Sequence, residues 1–243
     1  MEKRKNRKLR KSSFVKGAFI ATLGIVLTKI LGIIYVIPFH AIIGERGGAL
    51  YGYAYTIYVL FMSLSSAGIP LAISKIVSEY QTLGYYGAKK RAFMIGKRIA
   101  LLLGFICFFL LMLFAPWIAT AVLGDLTGGN TIEDVTFVIR VIGTAILIVP
   151  LLSIYRGYFE GHRFMEPPSY SQVLEQFVRV LVIVLGSFMA IKVLDLSLTS
   201  AVGIAVFGAT AGAIVSYLYL VVKKKQNQSK FNEKIRSVNE PII

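Results

Sequence analysis

The chain has 243 residues, of which 56% are hydrophobic and only 16% charged, with a mean hydropathy of +0.70 and a net charge of +15. A soluble domain carries about 25% charged residues, so this balance excludes an ordinary water-soluble fold and calls for lipid as solvent. The cations argue against a nucleic-acid partner once they are located: eight of the 27 Lys and Arg fall at positions 3–16 and six after Val222, both groups flanking apolar runs.

A helix needs about 20 apolar residues to cross a bilayer. Six runs of that kind occur, at 14–39, 50–77, 99–123, 136–155, 170–191 and 200–222. They predict an all-α polytopic membrane bundle of six transmembrane helices, preceded by a basic tail at 1–13 and followed by a basic linker or tail at 223–243. The first run has no small-residue cleavage site at its end and reads as a retained helix. If the amino terminus is inside, 22 of the 27 cations lie on the inner side and only Arg46 and Lys192 outside, which predicts that both termini are cytoplasmic. An even number of crossings would let a second copy follow in the same orientation, as in parallel-repeat transporters. The closing segment Glu240-Pro241-Ile242-Ile243 resembles an inter-lobe linker.

In chain order, the first span carries Lys29 about halfway along its length. An ammonium at that depth either pairs with an acid on a neighbouring helix, such as Glu175, or meets an anionic ligand such as a pyrophosphate. In the second span, Gly68 and Pro70 predict a break near the middle, a candidate hinge, because Pro70 lacks a backbone donor and Gly68 loosens the turn. Cys107, the one cysteine, reads as packing in the third. Arg140, near the outer end of the fourth, reads as a headgroup contact. In the fifth span, Gln172, Glu175, Gln176 and Arg179 occupy one helical face. Two readings stand: Glu175 and Arg179 form an internal ion pair that holds helices together, or Arg179 contacts an anionic headgroup oriented by Glu175 and the two amides. In the sixth, Gly208 and Gly212 offer a small-residue face to a neighbouring helix.

The two histidines, His40 and His162, are predicted on opposite sides of the membrane without further ligands beside them, so no metal site is expected. No phosphate-binding Gly-Lys-Ser/Thr loop occurs, and no cofactor is implied.

The inner loop and fifth span read Arg156-Gly157-Tyr158-Phe159-Glu160-Gly161-His162, then Ser171-Gln172-Val173-Leu174-Glu175-Gln176. With Thr28-Lys29-Ile30-Leu31-Gly32 and Ala67-Gly68-Ile69-Pro70, this resembles the polysaccharide-transport branch of the multidrug/oligosaccharidyl-lipid/polysaccharide exporter superfamily, close to MurJ-like lipid II flippases and stage V sporulation protein B. The resemblance implies an alternating-access transporter of two six-helix lobes in the bacterial cytoplasmic membrane, moving undecaprenyl pyrophosphate-linked sugars. It implies that Lys29 is a cavity cation and that a second lobe is supplied by a carboxy-terminal half, a separate chain or a homodimer. Gram-negative MurJ-like proteins carry an Arg where this chain has Tyr35. Drug exporters often carry an acid in the first span, and 14–39 has none, which disfavours an ion-coupled multidrug exporter half. Two other readings are a non-transporting scaffold subunit of envelope or spore-wall assembly and a membrane enzyme; the scarcity of clustered acids and histidines weighs against the enzyme.

Overall fold

The computed structural model describes residues 2–66, 68–124 and 129–231. The side chains at 3–16, Ala67, and the end of the basic tail with Lys234, Arg236 and 240–243 lie outside the described residues.

The described chain forms helices α1 (Glu2–Ile34), α2 (Val36–Ser66), α3 (Ile69–Leu83), α4 (Tyr86–Leu123), α5 (Ile132–Gly161), α6 (Glu166–Leu181), α7 (Leu198–Gln226) and the short α8 (Gln228–Phe231). The fifth span continues past α6 in wider π-type turns over Val182–Gly186 and Met189–Val193. Five helices are long and apolar enough to cross a membrane, with Val36–Leu83 counted as one, and Phe19–Ile34 is a shorter apolar helix. The result is an all-helical polytopic bundle.

Helix α5 is the central post, touching α2, α3, α4, α6 and α7. Its residues Val138, Ile139, Ala145 and Ile146 are fully buried. The outer helices are inverted relative to a soluble protein: Ile37, Leu71 and Trp117 are exposed at 79%, 74% and 73%, as lipid requires.

Four segments depart from the sequence-based expectation. The inner connections at 78–98 and 156–169 are helical over most of their length, α3 running to Leu83, α4 beginning at Tyr86 and α5 running to Gly161. The first run does not continue as one helix to Phe39; α1 stops at Ile34 and a new helix begins at Val36. Pro38 explains this, because its ring clashes with the carbonyl four residues back, at Ile34, and its nitrogen donates nothing. The segment 40–49, expected as an outer loop, is helical and turns at Gly44, whose φ of 67° is the left-handed region glycine accepts readily. Arg46 there pairs with Asp134 at 3.3 Å and donates to Asn130 at 3.2 Å. Asp134 also closes a capping box with Thr131 at the start of α5 and accepts from Thr199 of α7, so one polar knot ties three helices at that end.

The break in the second span is present. Gly68 has φ 76° and Pro70 stands in the first turn of α3. Helix α3 then runs parallel to α5: a Cβ at Gly157 would meet the Pro70 carbonyl oxygen at 2.4 Å, and one at Gly161 the Ser74 oxygen at 2.6 Å. The small face of α7 receives α6 in the same way, Gly208 against the Arg179 carbonyl and Gly212 against that of Glu175.

Candidate functional site

The charged stripe of α6 lies where α2, α5, α6 and α7 meet. Glu175 is held from two sides: Arg179 Nη2 donates to one carboxylate oxygen and Arg156 Nη2, on α5, to the other, each at 2.7 Å. The three side chains are 13–18% exposed. Arg156 also donates to Ser171 Oγ at 3.0 Å and Ser216 Oγ at 3.3 Å, and Ser216 donates to the Ser171 carbonyl at 2.9 Å. Both serines are fully buried. Arg179 lies within electrostatic range of the buried Tyr58, the half-buried Tyr51 and the exposed Tyr55, while its Nε has no hydrogen-bond partner among the described residues. Glu160, one turn beyond Arg156, lies within electrostatic range of it. The ion pair between Glu175 and Arg179 thus exists, but as one arm of a two-arginine fork that a linear reading of α6 does not contain.

Lys29 is elsewhere. Helix α1 packs in parallel on α6, with Gly17 against Met165, Gly24 against Ser169 and Gly32 against Gln176. That register sets Lys29 level with the turn of Gln172 to Gln176, on the exposed flank of α1 beside the exposed Val26 and Ile30. It has no ion-pair partner among the described residues, and Glu175 is already taken by the two arginines. Gln172 and Gln176 are partly buried, and Arg140 is exposed on α5.

His162 ends α5 at the other end of the bundle from His40 and the Arg46 knot. Its Nδ1 donates to the Tyr158 carbonyl at 2.8 Å, and its Nε2 accepts from Lys89 Nζ at 3.1 Å. Burial, reinforced by the positive charges of Lys89 and Lys224, pushes the imidazole down to about 4 against the Tyr158 bond, so it is neutral at pH 7 and keeps an acceptor for Lys89. The contribution of this neutral imidazole is complete above its ordinary 6.5 and lost as pH falls toward 4. The melting temperature of the purified protein is therefore expected to drop between pH 6.5 and pH 4, and His162→Gln, which cannot titrate, to flatten that part of the curve in a detergent thermal-shift assay.

Sequence reasoning did not assign the roles of four residues here. Lys89 is 2% exposed, yet in the run Lys89-Lys90-Arg91 nothing distinguishes it from its neighbours. Arg156 and the pair Gly157 and Gly161 were visible only as parts of a motif, although their four-residue spacing is itself a helix-packing signal. Among the described residues no group of three His, Cys, Asp or Glu stands close enough to hold a metal ion.

The family model described as "Polysaccharide biosynthesis protein" matches residues 14–240. Among curated relatives from Bacillus subtilis (strain 168), the chain is similar to "Lipid II flippase MurJ", 41% identical over 86% of this chain and 39% of that protein. It is also similar to "Stage V sporulation protein B", 31% identical over 87% of this chain and 39% of that protein. The chain spans about two fifths of the length of these relatives. Among solved structures, an inward-facing multidrug resistance MATE family transporter of the MOP superfamily matches with a TM-score of 0.72 at 15% identity, covering 88% of this chain and 48% of that one. A MOP superfamily transporter from Pyrococcus furiosus matches at 0.66 and 15% identity, covering 96% and 47%. At such identities the likeness is one of fold, and it is a likeness to about half of a transporter.

Proposed function

We propose that this chain, which belongs to the polysaccharide biosynthesis protein family, supplies one lobe of a flippase for undecaprenyl-linked sugar intermediates, lipid II or a polysaccharide precursor. The chain is a multi-pass protein of the bacterial cytoplasmic membrane, and the relatives and solved structures whose names state an activity are a flippase and transporters. Both termini face the cytoplasm in this reading, as the distribution of cations favours. The cavity closes against a second lobe, from the rest of a longer protein, a separate chain or a second copy, and the Gly68 break lets the second span bend as the lobes rock.

Lys29 carries the reading. A charged side chain facing hydrocarbon near mid-bilayer costs at least about 2.5 to 3.5 kcal/mol, so an exposed ammonium on an apolar flank belongs in a polar cavity. A pyrophosphate crossing that cavity is its natural counter-ion. The half-buried fork of Arg156, Glu175 and Arg179 carries more positive than negative charge at the same level of the bundle, with Gln172 and Gln176 on the same face of α6 to help orient the ligand. Arg140 anchors the far end of α5 in the headgroups.

The test is rescue of a conditional flippase-deficient bacterium by the chain together with a carboxy-terminal lobe. Lys29→Gln is expected to abolish rescue at unchanged membrane abundance, and Lys29→Arg to keep most of it. Full rescue by Lys29→Gln would instead indicate a scaffold that does not handle the lipid.

A further inference from the structure

Where α4 begins and α5 and α7 end, together with α8 they line a half-open cavity of about 220 Å3 whose polar lining is dominated by Lys89, Lys90, Lys224 and Lys225. Its apolar floor is Phe93, Tyr155 and Tyr158. No Asp or Glu is among the lining residues that the structure describes. Lys89, nearly fully buried, donates to three uncharged acceptors, Gln81 Oε1 at 2.6 Å, the Phe231 carbonyl at 2.7 Å and His162 Nε2 at 3.1 Å. The Lys224 ammonium stands 4.0 Å from the centroid of the Phe93 ring and 4.9 Å from that of Tyr158. Neutral acceptors and ring faces solvate these cations but cancel none of their charge, so the cluster repels itself. Buried charges are ordinarily paired, and clustered lysines without carboxylates are the setting in which an anion supplies the missing partner.

We propose that this cavity binds a phosphate group, with Lys224 and Lys225 as its contacts and Lys89 as the fixed charge behind them. The site is separate from the Glu175 fork and from Lys29. Drug-sized sites occupy roughly 300–1,000 Å3, so this smaller cavity suits a headgroup phosphate rather than an oligosaccharide. Its apolar floor and its location at the end of the membrane helices favour the phosphodiester of an anionic lipid, whereas free phosphate has the same chemistry from solution.

The test uses the full chain in detergent, titrated with dihexanoyl phosphatidylglycerol, dihexanoyl phosphatidylcholine or inorganic phosphate while its melting temperature is followed. Phosphatidylglycerol is expected to raise the melting temperature by several degrees and phosphatidylcholine not to. The double variant Lys224→Gln/Lys225→Gln should lose the shift while melting no lower than the parent without lipid, since it relieves repulsion. An equal shift from phosphate alone would support the site and assign it to the free ion. Equal shifts from both lipids, or a shift retained by the double variant, would overturn it. Glu233 follows Phe231 by two residues and is the intrachain rival. If phosphatidylglycerol acts only on Glu233→Gln, the cavity is filled by the chain's own carboxylate and the proposal falls.

Discussion

Glu175→Ala is expected to destabilise the lobe by about 3 to 5 kcal/mol, the usual cost of removing one partner from a buried ion pair. The reason lies in the stoichiometry of the fork. One carboxylate serves Arg156 and Arg179, each at 2.7 Å, and its removal leaves two guanidiniums, one from α5 and one from α6, facing each other, with Glu160 beside Arg156 as the nearest remaining carboxylate. Glu175→Gln should fall between, because the amide still accepts from one arginine while the other loses its charge partner. A double variant, Glu175→Gln with Arg156→Gln, should recover part of the loss, since it restores the balance of one acceptor to one guanidinium. The measurement is the melting temperature in detergent, with size-exclusion elution to report whether the protein remains folded. Parental stability in Glu175→Ala would mean that water enters the cluster freely and that the fork is not a structural centre.

Gly157→Ala is expected to be nearly as severe, although it adds a single methyl group. That carbon would stand 2.4 Å from the Pro70 oxygen and 2.8 Å from its Cα, both backbone atoms that no rotamer change can move. Helix α3 must therefore retreat from α5 along its length, which places the cost at or above the upper end of ordinary overpacking, about 3 kcal/mol. Gly52→Ala is the matched control: nothing lies within 4 Å of its Cβ position, and alanine favours the helix. Equal melting temperatures for the two variants would show that α3 is not seated on α5 as described.

What was legible in the sequence was what a helix writes within its own turn. The apolar runs, the break at Gly68 and the shared face of Glu175 and Arg179 all follow from spacing along one segment, and each is found. The face of Gly208 and Gly212 was legible for the same reason, although which helix would fill it was not. The segment around Gly44-Glu45-Arg46-Gly47-Gly48 has the composition of a turn, and a turn does occur at Gly44; the helix on either side of it was not legible, and the knot of Arg46 with Asn130 and Asp134 is formed far away in sequence. Arg156 joins Glu175 across 19 positions and Lys89 reaches Phe231 across 142, distances over which no periodicity speaks. Lys29 was legible as an oddity, and the structure adds its depth relative to α6.

The pairing of α1 with α6 has a consequence for how the protein is made. The glycines of α1 fit against Met165, Ser169 and Gln176, in a segment that leaves the ribosome more than a hundred residues later. At synthesis rates of about 5 to 20 residues per second, α1 waits on the order of ten to thirty seconds in the translocon or the bilayer before its chief neighbour arrives. Throughout that wait it carries an unpaired ammonium at Lys29 that lipid does not welcome. Biogenesis thus selects for a first helix that is tolerable alone, and the charge proposed to line the cavity is also the one that burdens the nascent chain.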